Sequence, residues 1–132
     1  MDEPAVTLVL ELVDRVWNRR DIDQLERFFA DPFDHGGRED TLESLRGWHT
    51  ADATVWAEPS YEVLETVRQG ETIVIRWRAT ASHVGAWGPV HATERTVSWN
   101  GVHFFTVQGG RISRMWALAD TFAKARQIGA LD

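Results

Sequence analysis

Five histidines (His35, His49, His83, His91 and His103), a single lysine (Lys124) and the carboxylate of Asp120 are the groups in this chain best suited to carry chemistry. An imidazole titrates near neutral pH and serves as acid, base or hydrogen-bond donor, and a carboxylate becomes a useful base when apolar surroundings raise its pKa. Cysteine is absent, which removes disulfides, thiolate nucleophiles, cysteine zinc sites and iron–sulfur clusters together. The histidines lie far apart in the chain, without the close spacing of a common metal site, so no metal is expected. Lys124, flanked by Ala123 and Ala125, is a Schiff-base candidate only if its helix lines a pocket. No Gly-x-Gly-x-x-Gly, Walker lysine motif, Gly-x-Ser-x-Gly elbow or His-Glu-x-x-His occurs, so nucleotide, hydrolase-triad and zincin readings lack their parts. What remains is carboxylate, imidazole and hydroxyl chemistry without a cofactor.

Those groups need elements to hold them. Val6, Val9, Leu10, Val13, Val16 and Trp17 recur at three- and four-residue steps, which predicts a helix from about Pro4 to Asn18 with one buried face. Asp21 with Gln24 resembles a capping box for a second short helix carrying Ile22, Leu25, Phe28 and Phe29, ended by Asp31-Pro32. Asp40 with Glu43 repeats the signal for a third helix reaching about Ala53, whose Leu42, Leu45, Trp48 and His49 face inward. After Pro59 the period becomes two. Thr72 to His83 reads as a long strand with Ile73, Ile75, Trp77, Ala79, Ala81 and His83 on one face, and Thr93 to Gln108 as another. Gly109-Gly110 is a two-residue hairpin signal leading into Arg111 to Asp120, and a last short helix covers about Thr121 to Ile128. Helices first and an antiparallel sheet afterwards predict one α+β domain over residues 1–132.

Bulk properties agree with an ordinary folded domain. A chain of 132 residues, 43% hydrophobic and 26% charged, can bury roughly two-thirds of its unfolded surface in one core. Fourteen Lys and Arg against twenty Asp and Glu give a net charge of −6, which argues against a nucleic-acid partner. The acidic start Met1-Asp2-Glu3-Pro4 is unlike a signal peptide, and no apolar run reaches the ~20 residues of a membrane span, so a cytoplasmic protein without membrane contact is expected. Seven tryptophans and six phenylalanines in so small a chain suggest a crowded core or an apolar pocket.

The hairpin brings the chemistry together. If Gly109 and Gly110 form the turn, Gln108 pairs with Arg111, and an uninterrupted ladder then sets Phe105 against Arg114, His103 against Trp116, Gly101 against Leu118 and Trp99 against Asp120. Trp99, His103, Phe105, Trp116, Leu118 and Asp120 would share a face, placing one imidazole and one carboxylate among aromatic rings. Local pattern alone leaves other roles open. Asp120 stands where helix N-caps stand, His103 fits a hydrogen-bonded core histidine, and each tryptophan fits the core.

Four stretches then resemble a known family. Trp17-Asn18-Arg19-Arg20-Asp21-Ile22-Asp23-Gln24-Leu25 is similar to an aromatic-Asn-x-x-Asp-x-x-x-Leu opening, Phe33-Asp34-His35 to a short strand ending in His, and Ala81-Ser82-His83-Val84-Gly85 to a Gly-Thr-His-x-Gly strand end. Arg111-Ile112 through Trp116 to Asp120, with Arg126-Gln127-Ile128-Gly129, is similar to a closing Gly-Lys-Ile, Trp, Asp and Gln-Leu-Gly. Together they resemble the SnoaL-like polyketide cyclases of the NTF2-like superfamily, with a departure at Gly88-Pro89-Val90-His91-Ala92-Thr93-Glu94, where the family usually has Gly-Ile-Pro-Pro-Thr-Gly.

The resemblance implies an α+β cone: a curved mixed sheet wrapped around an apolar pocket, with three N-terminal helices, a short C-terminal helix, and assembly into a homodimer or larger homo-oligomer. It implies a cofactor-free intramolecular aldol ring closure of a hydrophobic polyketide, with Asp120 as acid/base and His103 assisting. His35, at the pocket rim, is a second candidate to hydrogen-bond the enolate oxygen. Trp17, Trp77, Trp99 and Trp116 would hold a folded, partly aromatic chain, and Trp48, His49, His83 and Phe105 complete the expected binding set. The superfamily also holds isomerases, epoxide hydrolases and non-catalytic binding domains, which stand as alternatives.

Overall fold

The computed structural model describes residues 4–131, so the acidic residues 1–3 lie outside the described part. Helix α1 (Pro4–Leu12) runs on into a π-helical turn at Val13–Asn18, a 3-10 turn at Ile22–Gln24 leads into the single turn of α2 (Leu25–Phe28), and α3 spans Leu42–Ala53. Two short strands, β1 (Phe29–His35) and β2 (Arg38–Asp40), separate α2 from α3. Four long strands follow, β3 (Trp56–Gln69), β4 (Thr72–His83), β5 (Thr96–Gln108) and β6 (Arg111–Ala119), before α4 (Thr121–Gln127). The strands form one curved, unclosed sheet in the order β2-β1-β6-β5-β4-β3. All neighbours are antiparallel except the parallel β1–β6 pair, so the sheet is mixed and the architecture is the expected α+β cone. Among the described residues no helix is long and apolar enough to cross a membrane.

Strict alternation makes β4 the central wall. Ile73, Ile75, Trp77, Ala79, Ala81 and His83 are all buried on one face, whereas Arg76 and Arg78 are exposed on the other. Val9, Leu12, Val13 and Val16 join the same core from the first helix. Each large apolar side chain taken from water there contributes about 1.5–3 kcal/mol.

Several boundaries differ from the sequence expectation, each for a local reason. Phe29 enters β1 instead of ending a helix, and Asp31-Pro32 lies inside that strand. Asp21 makes no side-chain cap. Thr41, not Asp40, caps α3, its hydroxyl accepting from the Ser44 amide at 3.1 Å, which leaves the Asp40 carboxylate for other partners. Pairing with β4 draws β3 back to Trp56, three residues before Pro59, and β5 begins at Thr96 rather than Thr93.

The β5–β6 hairpin carries the largest correction. Gly109 and Gly110, at φ of +60° and +79°, form the turn, and Gln108 faces Arg111 and Val107 faces Ile112 as expected. Then Ser113 is inserted as a bulge, and beyond it Phe105 faces Met115, Phe104 faces Trp116, His103 faces Ala117 and Gly101 faces Ala119. The extra residue lets Ile112 and Met115, three apart, both be buried on the inner face, and the Ser113 hydroxyl bonds the Gln108 side chain at 2.8 Å. Every later side chain changes face. Trp116 and Leu118 therefore stand on the outside, 44% and 63% exposed, with Trp116 edge-on to Phe104 at 5.6 Å.

Gly101 shapes the inner face. It pairs with Trp77, whose indole lies flat across it, and a Cβ at Gly101 would come within 2.1 Å of that ring. The Gly101→Ala variant is expected to displace Trp77 and lower stability by about 1–3 kcal/mol, read from urea unfolding; unchanged stability would contradict this packing.

Candidate active site

Sheet and helices enclose a cavity of about 420 Å³, within the usual range for small-molecule sites. Trp17 enters it from the π-helical turn. That turn is fastened to β3 by Asn18, whose side-chain amide donates to the Tyr61 carbonyl at 3.1 Å and whose oxygen accepts from the Tyr61 amide at 2.6 Å. Tyr61 and Trp77 then pack against Trp17 at 5.2 and 6.0 Å between ring centroids. Trp48 and His49 approach from α3, Trp99 and His103 from β5, and Lys124 from α4. Arg20 also lines the cavity and donates to the Trp56 carbonyl.

His103 faces the cavity from β5. Burial pushes its pKa down to about 3, with the nearby His35 and His49 adding to the shift, so it is neutral at pH 7. Its Nδ1 lies 2.9 Å from Trp77 Nε1. An indole N–H only donates, so Nδ1 accepts and the proton of the neutral ring is on Nε2. Trp17 and Phe105 hold the ring at 4.6 and 5.4 Å.

His35 is wired the opposite way. It ends β1 beside Met115 of β6, and its Nδ1 lies 3.0 Å from Asp40 Oδ2. That hydrogen bond, joined by the Thr41 amide and Ser44, holds the Asp40 carboxyl below its ordinary pKa against the opposing effect of burial. A carboxylate only accepts, so His35 donates through Nδ1, and its neutral form has the lone pair on Nε2. His35 on β1 and His103 on β5 flank β6, on the order of 10 Å apart by strand spacing. Ala117, the residue facing His103 on β6, leaves the space between them open.

A third set of groups stands on α3 and α4. His49 has its pKa lowered to about 4 by burial and by Arg20. Burial raises the Asp52 carboxyl, opposed by the charges of Lys124 and Arg20. Among the described residues no three His, Cys, Asp or Glu side chains are grouped to hold a metal ion.

Of the residues singled out in the sequence, Trp17, His35, Trp48, His49, Trp77, Trp99 and His103 line the cavity. Four do not. Asp120 is exposed, and its carboxylate accepts from the Ala123 amide at 2.9 Å as the N-cap of α4; the Ser113 bulge removed the register that would have aimed it inward. Trp116 went outward with the same bulge and borders a second groove with His35, Arg38, Glu39, Asp40 and Ala117. His83 is fully buried behind Trp56, its Nδ1 accepting from the Thr93 amide at 3.2 Å. Phe105 is fully buried beneath His103. Asp40, Asp52, Arg20 and Tyr61 were missed. For Asp52 a signal existed, since Leu45, Trp48, His49 and Asp52 continue one helix stripe; for Asp40 the capping pattern concealed the partner of His35.

Two outcomes follow for this site. Asp120→Ala should cost about 1 kcal/mol of stability and Asp120→Asn only a fraction of that, with turnover retained by the Asn variant, as measured by urea unfolding and product formation. A folded but inactive Asn variant would restore Asp120 to the chemistry. His49 and His103 titrate in the folded chain below the ordinary value of 6.5. Below that pH the unfolded chain takes up protons that the folded chain refuses. Stability should therefore be full above about pH 6.5 and fall towards pH 4, by at most about 1.4 kcal/mol per pH unit for each imidazole. His49→Gln should flatten that fall in urea titrations, and an equally steep profile would contradict the assignment.

Comparison with known proteins supplies the family. AclR from Streptomyces galilaeus superimposes with a TM-score of 0.87 at 21% identity, covering 97% of each chain. TsrD from Streptomyces laurentii gives 0.87 at 22%, covering 99% of each. A SnoaL-like polyketide cyclase from Agrobacterium tumefaciens gives 0.83 at 22%, covering 98% of this chain and 100% of its own. These likenesses establish the fold. No curated protein matches the chain in sequence. A family model described as SnoaL-like polyketide cyclase matches residues 7–128, and the chain belongs to that family.

Proposed function

We propose that this protein is a polyketide cyclase that closes a ring in a poly-β-carbonyl chain by an intramolecular aldol reaction, with His35 as acid/base and His103 as the enolate donor. The observation that carries the reading is the opposite wiring of two imidazoles facing one aromatic-walled cavity. His35 Nε2 offers a lone pair and His103 Nε2 offers a proton.

In this reading the chain lies over Ala117 between the two rings. His35 Nε2 takes a proton from a methylene between two carbonyls, and Asp40 stabilises the imidazolium that forms. The developing enolate oxygen accepts from His103 Nε2–H, a donor already oriented and stripped of water, the condition under which such donors contribute most. The carbanion attacks a second carbonyl of the same chain, and His35 returns its proton to the new alkoxide. Trp17, Trp48, Trp77 and Trp99 supply flat apolar surfaces that hold the chain folded. The substrate is therefore a hydrophobic small molecule. The expected homodimer or larger homo-oligomer belongs to the same proposal, with the exposed outer row of Phe104, Trp116 and Leu118 as its candidate contact.

A linear poly-β-ketone thioester, followed by the absorbance of its cyclised phenolic product, tests the reading. His35→Gln should lower turnover by roughly two to four orders of magnitude while leaving stability nearly unchanged. Ala117→Leu should block turnover by filling the gap between the imidazoles. Full activity in both folded variants would overturn the reading.

A further inference from the structure

The acid/base reading leaves the amine of the cavity unused. Lys124 is the only lysine in the chain, and its helix does line the pocket. Its position is built. Gln127, one turn further along α4, clamps β5 through both ends of its side-chain amide, Nε2 donating to the Ser98 carbonyl at 2.6 Å and Oε1 accepting from the Ser98 amide at 2.9 Å. Arg95 adds a bond to the Gln127 carbonyl at 2.8 Å. With the helix so fixed, Lys124 Nζ stands 4.2 Å from the ring centroid of Trp99, 4.6 Å from Trp56 and 5.8 Å from Trp87. Asp52, on α3, lines the same cavity, and the charge of each group acts on the other's titration.

We propose that Lys124 is a covalent nucleophile of this cavity, forming an imine with a ketone of a β-dicarbonyl substrate, with Asp52 as its proton shuttle. This rests on the reading of the cavity as a site for poly-β-carbonyl chains and adds a covalent step to it. Burial pushes the Lys124 ammonium down against the opposing charge of Asp52, and pushes the Asp52 carboxyl up against the charges of Lys124 and Arg20, so burial favours the uncharged form of each.

The step balances with the groups present. The Nζ lone pair attacks the ketone carbon, and the carbonyl π pair moves to oxygen, which takes the proton of the Asp52 carboxylic acid. The nitrogen then gives a proton back to Asp52. The C–O bond of the carbinolamine breaks, its hydroxyl leaves with that proton as water, and a C=N bond remains. Asp52, left as the carboxylate beside an iminium, takes a proton from the adjacent methylene to give an enamine, a carbon nucleophile for ring closure; it returns that proton to the new alkoxide, and water later hydrolyses the iminium to return the amine. The rings of Trp99, Trp56 and Trp87 surround the Lys124 nitrogen and fix where the imine would form.

Pentane-2,4-dione is a probe that needs no turnover, because its imine tautomerises to a conjugated enaminone with its own near-ultraviolet absorbance. The wild-type protein should gain the mass of one diketone less one water, the adduct should map to the peptide containing Lys124, and it should form faster than on Nα-acetyllysine at the same pH. Lys124→Arg, which keeps a cation over the rings but cannot form the imine, should lose the adduct entirely. No adduct at Lys124 in the wild-type protein, or a rate no greater than that of the free amino acid, overturns the proposal. An adduct without cyclisation of the thioester sustains Lys124 and counts against the cyclase reading; cyclisation without an adduct does the reverse.

Discussion

The Trp77 Nε1–H bond to His103 Nδ1 is the interaction on which the rest of the site depends. The bond gives the buried Nδ1 a partner, and a buried acceptor left without one costs about 1–3 kcal/mol. Because an indole can only donate, this bond also chooses the tautomer, leaving a proton on Nε2 inside an apolar cavity. His35 makes the complementary choice through Asp40, so two identical side chains acquire opposite roles from their second nitrogen alone. Neither role requires an unusual residue. Each requires a neighbour of fixed polarity.

Packing devices bring those neighbours into place. Trp77 reaches His103 by crossing Gly101, the one position on the facing strand where no side chain obstructs it. The Ser113 bulge turns the chain so that Met115 and Ala117, rather than Trp116, face inward. A tryptophan opposite His103 would fill the space that Ala117 leaves open. Asn18 and Gln127 act alike on β3 and β5, each binding both the N–H and the C=O of a single strand residue. They carry Trp17 and Lys124 to the cavity wall, and such paired bonds resist sliding better than apolar contact does.

Much of this was legible in the amino-acid order, because it rests on periodicity. The alternation of β4 from Ile73 to His83 and the helical stripe from Val6 to Trp17 report burial directly. The Gly109-Gly110 turn was legible because two residues with positive φ favour glycine there. The bulge was not, since inserting Ser113 depends on a ladder hydrogen bond given up in exchange for burying Met115, and nothing local records that exchange. The face of Asp120 followed from the same misplaced count. Asp40 was hidden because Asp and Thr are both good N-caps, and only the fold decides that Thr41 takes the amide while Asp40 turns to His35. The family resemblance carried the cone and the short strand ending at His35, which periodicity alone had assigned to no element.

The central claim is that His103 is kept neutral at physiological pH by burial, with its proton placed on Nε2 by the Trp77 bond to Nδ1. Nitrogen-15 NMR of the imidazole side chains in the full chain measures this directly. The account predicts that His103 keeps an unprotonated Nδ1 and a protonated Nε2 from pH 7.5 down to pH 5, without titrating, and that Trp77→Phe, which removes the donor to Nδ1, mixes the tautomers. A His103 that titrates near pH 6.5 in the wild-type protein, or that carries its proton on Nδ1, would contradict it.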